Sequence, residues 1–174
     1  MELSDWGVRA VEHLQHELRR DHRWSKTLAP ALEPSRKVHL AVFVEPFLAY
    51  VLEGKKSIES RFSTRQCAPF RRVSIGDIVL LKEASGPVRG VCEVAKTWFF
   101  DLDSMPLAEV RERFAVDICA TDDDFWRARD KADYATLLKL RSVRKVTPLR
   151  CPKRDRRGWV VLSNTQKQLT LPIS

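Results

Sequence analysis

The chain has 174 residues, of which 44% are hydrophobic and 31% charged, as is usual for one globular domain with a short extension. This balance excludes a disordered or fibrous protein, and no apolar run approaches the roughly 20 residues that a transmembrane helix needs. Lys and Arg number 31 against 23 Asp and Glu, and the net charge of +8 favours an anionic partner, nucleic acid first. Because the first residues also lack a basic and apolar leader, we expect a cytosolic protein with no membrane partner.

The first predicted element is an amphipathic helix over residues 5–20. Its apolar residues recur at helical spacing behind the capping residue Asp5 and comprise Trp6, Ala10, Val11, Leu14 and Leu18. The stretch from Lys26 to Arg36 holds two prolines and no clear period, which predicts a linker. Residues 1–36 are therefore predicted to form a helical extension on a separate body that begins near Lys37.

The body is predicted to have an α+β fold, a small curled sheet or barrel with a few peripheral helices. Short apolar or alternating runs indicate strands at 38–44, 57–62, 78–81, 88–99, 134–146 and 158–162. Helical spacing, bounding Pro and Gly residues and acidic first turns indicate helices at 46–53, 106–117 and 123–131. Residues 37–163 thus form the predicted barrel domain, followed by a C-terminal tail at 164–174.

The cysteine and histidine positions do not suggest a metal site. The cysteines are widely spaced and include no Cys-x-x-Cys pair, at Cys67, Cys92, Cys119 and Cys151. Three histidines near the N-terminus have no accompanying pattern of carboxylates or thiols and are expected in solvent: His13, His16 and His22. We predict reduced, mostly buried thiols, and neither a bound metal nor a cofactor.

The segment Gly54-Lys55-Lys56-Ser57-Ile58-Glu59-Ser60-Arg61 resembles the G-x-K-x-x-E-x-R signature of the ASCH domain, the activating signal cointegrator homology family. It follows a predicted strand and a short helix, and three later segments are similar to subsequent strands of that family in the same order, beginning at Gly76, Gly90 and Gly158. The resemblance covers residues 37–163. It implies a PUA-like β-barrel, a fold used to recognise RNA and modified nucleotides.

The residue types of this segment suit nucleotide binding. Residues two apart in a strand share a face, so Glu59 and Arg61 should converge. A carboxylate accepts hydrogen bonds from base amino groups, an Arg fork matches phosphate, and Lys56 at the strand entry adds a second cation. We predict a cleft with Lys56 and Arg61 at its rim that binds RNA, another single-stranded nucleic acid or a modified nucleoside. The alternative is a Glu59–Arg61 ion pair with a purely structural role.

The resemblance also implies two hydrolase alternatives. Relatives that resemble amidohydrolases of acetylated cytidine use a Lys at the Lys56 position, a Glu at the Glu93 position and a Thr nucleophile where this chain has Glu59. A carboxylate cannot simply replace an alcohol that a base deprotonates. Related ASCH domains assigned metal-independent RNA cleavage have a Tyr six residues before this Lys and a Ser in the last strand, which Tyr50 and Ser163 match in kind. A ribonuclease is therefore the favoured enzymatic alternative.

The densest charge run lies between residues 139 and 157. It holds nine basic residues against the single acid Asp155, namely Lys139, Arg141, Arg144, Lys145, Arg150, Lys153, Arg154, Arg156 and Arg157. The last three precede Trp159, and an aromatic ring beside basic residues is typical of sites that stack a base and neutralise its phosphates. The alternative places Trp159 in the core. A third functional hypothesis is a protein-interaction module that uses the N-terminal helix.

Overall fold

A computed structural model describes residues 3–28, 36–153 and 156–162. Within these ranges the α-helices are α1 (Leu3–Glu17), α2 (His22–Leu28), α3 (Phe47–Leu52), α4 (Leu107–Ile118) and α5 (Asp123–Arg127). The β-strands are β1 (Val38–Phe43), β2 (Ile58–Ser63), β3 (Ile78–Glu83), β4 (Val88–Asp101), β5 (Tyr134–Leu149) and β6 (Trp159–Val161). Two candidate residues, Ser163 and Arg154, lie outside the described residues.

The six strands form one mixed sheet in the order β2-β5-β4-β3-β1-β6. β1 and β3 run parallel, and the other neighbouring pairs run antiparallel. The register between β4 and β5 shifts at three places along β4, and such bulges bend and twist a strand. The sheet therefore curls into a half-barrel, and the predicted α+β fold with peripheral helices is confirmed.

The central strands are apolar on both faces because both faces of the sheet are covered. On β1, Ala41 and Phe43 belong to a cluster inside the curl, whereas Val38 and Leu40 belong to a second cluster under the N-terminal helices. A strand buried on both sides has a nearly continuous apolar sequence, which is why residues 38–44 show no alternation. A third cluster lies between α4, α5 and the strands β2 and β5.

The N-terminal helices pack directly on the outer face of the sheet. Trp6 and Trp24 are buried, and their indole N–H groups donate to the backbone oxygens of Arg150 and Ser142, each at 2.8 Å. The linker predicted from Lys26 is wrong for residues 26–28, which form the last turn of α2. The side chain of Asp21 accepts from the backbone N–H of Trp24 at 3.0 Å and so starts a helix too short for a clear apolar period.

Two smaller differences separate the structure from the sequence-based expectations. The prediction of mostly buried thiols is wrong, because of the four cysteines only Cys92 is buried and Cys67 is exposed. α5 ends at Arg127, short of the predicted residue 131. The short helix α3 does end as predicted, since Gly54 takes a φ of +76°, a left-handed conformation that glycine adopts without strain. None of the described helices has the length and apolar character needed to cross a membrane.

Candidate functional site

A cleft of about 440 Å³ opens where β1 ends, between β2, α3 and the segment that includes α5. Four aromatic side chains line it, from Phe43, Phe47, Phe62 and Phe125. Its charged lining consists of Lys56, Glu59, Arg61 and Arg129. The signature segment supplies three of these four charges, so the cleft combines flat apolar surfaces with an excess of positive charge.

Lys56 lies inside the fold, with 3% of its surface exposed. Its Nζ donates to the backbone oxygen of Ile118 at 2.8 Å and lies 3.4 Å from Oε2 of Glu59. The same ammonium is 5.3 Å from the ring centre of Phe47. Burial lowers the pKa of Lys56 by more than the neighbouring Glu59 carboxylate raises it. The expected rim position of Lys56 is therefore wrong: this lysine forms part of the cleft floor.

Glu59 connects the two cations of the signature segment. Its Oε1 lies 2.7 Å from Nε of Arg61, and its Oε2 faces Lys56. Only 5% of Glu59 is exposed, so the carboxylate depends on these cations for the solvation that water would otherwise provide. A carboxylate offers about four lone-pair sites, and each oxygen can accept a further donor. The expected convergence of Glu59 and Arg61 is observed, and its role toward a ligand stays a prediction.

Arg61 joins the two edges of the curled sheet. From the edge strand β2, its Nη2 donates to the backbone oxygen of Val42 in β1 at 2.8 Å, and its Nη1 donates to that of Gly158 at 3.2 Å. Gly158 directly precedes the other edge strand, β6. A Cβ atom at Gly158 would lie 3.0 Å from Nη1, so glycine there lets the guanidinium approach. One side chain thus completes the barrel wall where the described edge strands share no backbone ladder.

Trp159 supports this guanidinium from inside the barrel. Its ring centre is 5.4 Å from Cζ of Arg61, and only 5% of Trp159 is exposed, which is the core position considered above. The indole N–H donates to Nδ1 of the buried His39 at 3.2 Å, and Nε2 of His39 lies 2.9 Å from Oδ2 of Asp77. Because Nδ1 accepts, Nε2 carries the proton and donates to Asp77. The buried chain Asp77–His39–Trp159 therefore fixes the surface against which Arg61 packs.

Asp77 makes the stability of this buried chain depend on pH. Burial opposes ionisation of Asp77, but hydrogen bonds from His39 and from the backbone N–H groups of Ser74 and Lys37 outweigh it, so its pKa lies below the ordinary value. A carboxyl with a lowered folded-state pKa stabilises the fold above the unfolded value of about 3.9, and this contribution disappears as the pH falls through the folded-state pKa. Ionised Asp77 is thus a stabilising group at neutral pH.

We expect Asp77→Asn to lower the free energy of unfolding by about 1–2 kcal/mol at pH 6, with a smaller difference from wild type at pH 3. Urea unfolding at both pH values measures this. Asp103→Asn is the matched control, because Asp103 is exposed and should show little difference from wild type at either pH. A difference for Asp77→Asn that stays constant between pH 6 and pH 3 would contradict the role assigned to the ionised carboxylate.

Two other catalytic candidates, Tyr50 and Glu93, do not line the cleft. Tyr50 lies on α3 with its ring centre 6.3 Å from that of Phe47, outside the residues that line the cleft. Glu93 on β4 is buried and paired with Arg141 at 2.5 Å, also outside the cleft lining. Arg156 and Arg157 are exposed in the segment that leads to Gly158, and the contact of Gly158 with Arg61 brings that segment next to the cleft.

The charge run between residues 139 and 157 is partly neutralised by acids from other elements. Lys139 lies 3.8 Å from Asp117, and Arg144 lies 2.8 Å from Asp21. Arg141 has its own partner in Glu93. The sequence shows the basic residues as one run because their acidic partners lie far away along the chain.

Sequence reasoning missed the wall of the cleft that α5 and the residues after it contribute. Phe125 and Arg129 line the cleft because Trp126 anchors α5, with its indole N–H donating to the backbone oxygen of Ala120 at 2.7 Å. Asp122 caps the helix by accepting from the backbone N–H of Phe125 at 2.8 Å. The local signal was a short predicted helix at 123–131 with two aromatic and three basic residues. Its position opposite β2 depends on tertiary packing.

Comparisons with known proteins address the fold. A scan against protein-family models gives no match, and neither does a search of curated proteins. The crystal structure of ASCH from Zymomonas mobilis superposes with a TM-score of 0.58 at 14% identity, covering 76% of this chain and 92% of that one. A mutant of the same protein superposes with a TM-score of 0.59 at 16% identity, covering 78% of this chain and 94% of the other. This chain has the ASCH fold.

The ASCH fold expected from the signature segment is thereby confirmed, and the sheet is a half-barrel as expected. Within this ASCH fold, Gly54 ends α3 and the next residues lead into β2, so Lys56, Glu59 and Arg61 line one cleft. At 14–16% identity the likeness establishes architecture alone. The ligand of the cleft has to be argued from its own side chains.

Proposed function

We propose that this ASCH fold binds RNA and holds one nucleotide in the cleft beside Lys56, Glu59 and Arg61. The supporting observation is that one cleft combines four aromatic rings, three basic side chains and a buried carboxylate. Aromatic rings stack bases and cations neutralise the backbone in sites that bind single strands. The unused lone pairs of Glu59 can accept a base amino group.

Outside the cleft, the bound RNA is expected to run along the segment that precedes β6. Arg156 and Arg157 are exposed there, and they would contact phosphates on either side of the held nucleotide. We further propose that residues 37–163 are the binding domain and that residues 1–36 are an extension, whose helices α1 and α2 pack on the outer face of the sheet. The apolar face of α1 supports this division of roles, because Trp6 and Leu14 are buried and that face is not available to a protein partner. Location in the cytosol stays a prediction.

Binding of single-stranded RNA is expected to depend strongly on salt. With about four phosphate contacts at a slope near −0.7 each, affinity should fall roughly 50-fold between 50 and 200 mM salt. The change in fluorescence anisotropy of a labelled RNA decamer measures this. A flat response to salt would contradict binding through phosphate neutralisation.

Two neighbouring lysines provide the test of the cleft itself. Lys56→Met keeps most of the buried volume but removes the cation. It should lower the affinity for the RNA decamer by about tenfold or more, since hydrogen bonds to charged groups contribute about 1.5–3 kcal/mol. Lys55→Met is the matched control, because Lys55 is exposed and paired with Glu53 at 2.7 Å. Equal affinities of the two variants would remove the cleft as the binding site.

A metal-independent ribonuclease is the second candidate, favoured by one observation. Burial lowers the pKa of Lys56, which moves this amine toward the range in which a side chain transfers protons at neutral pH. The amidohydrolase alternative has a carboxylate, Glu59, at the position of its alcohol nucleophile. Gel analysis of the same RNA, incubated with the protein and a chelator, distinguishes cleavage by a metal-independent ribonuclease from binding alone. Cleavage that continues unchanged in Lys56→Met would exclude this site as its source.

A further inference from the structure

Arg129 differs from the other cations of the cleft in having no carboxylate partner. Lys56 and Arg61 both contact Glu59, whereas none of the residues that the structure describes forms an ion pair with Arg129. Nη1 of Arg129 donates to the backbone oxygen of Phe125, and the other guanidinium N–H groups have no acceptor in the described part of the chain. The cleft therefore contains a cation whose hydrogen-bonding capacity is mostly unused.

The guanidinium of Arg129 is also partly withdrawn from water and held in place. Its Cζ lies 3.4 Å from the ring centre of Phe125 and 5.6 Å from that of Phe62. Partial burial lowers the pKa of Arg129 more than the distant carboxylates of Glu59 and Asp122 raise it. A cation removed from water without a counter-ion is unfavourable, and buried charges in proteins are normally paired. The position is thus one that an anionic ligand would complete.

We infer that Arg129 binds a phosphate group of the ligand, so that the cleft takes a phosphorylated nucleotide and not a free nucleoside. A planar guanidinium presents two parallel N–H groups that match two phosphate oxygens. Stacking on Phe125 fixes the plane before the ligand arrives, which lowers the entropy cost of binding. A neutral base edge could accept the same hydrogen bonds, but it would leave the excess positive charge of the cleft uncompensated. This inference rests on the proposed function and specifies its ligand.

The test compares cytidine, uridine, adenosine and guanosine with their 5′- and 3′-monophosphates by calorimetry, together with the RNA decamer. For the wild type, at least one monophosphate should bind roughly 10- to 100-fold more tightly than its nucleoside. Arg129→Gln should remove this preference by weakening monophosphate binding far more than nucleoside binding, and Arg129→Lys should retain only part of the preference because the fork is lost. Arg127→Gln is the matched control, since Arg127 is exposed on α5 and pairs with Asp124.

The possible failures of this inference and of the proposed function are distinguishable. If the decamer binds but monophosphates and nucleosides bind equally, or if Arg129→Gln weakens both equally, the assignment of Arg129 to phosphate is overturned and RNA binding stands. If inorganic phosphate binds as tightly as the monophosphates, the site is a simple anion site and the nucleotide assignment is overturned. If neither the decamer nor any monophosphate binds, the proposed function fails and the inference fails with it. Melting temperatures of all variants establish that each one is folded.

Discussion

Replacing Arg61 by alanine should lower the free energy of unfolding by about 3 kcal/mol, the lower end of the range for breaking a buried ion pair. For a chain of this size this corresponds to a fall in Tm of roughly 6–12 °C. The reason is that the variant loses the contacts with Val42 and Gly158 across the barrel edge and leaves Glu59 with Lys56 alone. The lower end applies because 22% of the Arg61 side chain is exposed. Thermal unfolding followed by circular dichroism measures the change.

Arg89→Ala is the matched control for this substitution. Arg89 also lies on a strand and pairs with a glutamate, Glu83, at 3.2 Å, but both side chains are substantially exposed. Loss of this exposed ion pair should lower the free energy of unfolding by less than about 1 kcal/mol. If Arg61→Ala instead has the same Tm as the wild type, Arg61 does not hold the barrel edge together. Its place in the cleft would then serve the ligand alone.

Trp24→Ala should cost about 3–5 kcal/mol, as is typical when a large aromatic side chain is removed from a core. Trp24 has no exposed surface, and its indole hydrogen bond spans 118 residues of sequence to Ser142. The substitution therefore leaves a cavity between α2 and the sheet and an unpaired carbonyl on β5. Chemical denaturation measures the loss of stability.

His22→Ala provides the control, because His22 is on the same helix and exposed, and it should change stability by less than about 0.5 kcal/mol. A single cooperative transition in the Trp24 variant would show that the helices and the barrel unfold together. Equal stability of the two variants would instead mean that α1 and α2 contribute nothing to the barrel. In that case residues 1–36 would be an extension that does not stabilise the barrel.

The parts of the fold that could be predicted from sequence have local causes. The strand at β1 follows from a short β-branched run, and the helix α3 follows from Pro46 and Gly54 at its two ends. The convergence of Glu59 and Arg61 needed only the two-residue period of a strand. Each of these features depends on residues that are close together along the chain, where propensity and period decide the outcome.

The features that could not be predicted depend on partners far away along the chain. Lys56 looks like a solvent-exposed lysine beside Lys55 and a glycine, but its buried ammonium donates to the carbonyl of Ile118, 62 residues later. Arg61 looks like a ligand-binding cation, and its structural contact with Gly158 spans 97 residues. Arg129 belongs to the cleft only because Trp126 anchors α5 against Ala120. The periodicity and propensities of the local sequence do not predict these long-range contacts.

The pairing of β1 affects how the chain folds during translation. β1 hydrogen-bonds to β3, which begins at Ile78, and to β6, which begins at Trp159. At the usual synthesis rates of about 5–20 residues per second, roughly 6–24 s pass between the appearance of β1 and that of β6 on the ribosome. During this time the nascent strand has an open apolar edge, the kind of surface that promotes aggregation. The sheet is complete only after almost the whole domain has been translated, so a chain that stalls before β6 leaves one edge of β1 unpaired.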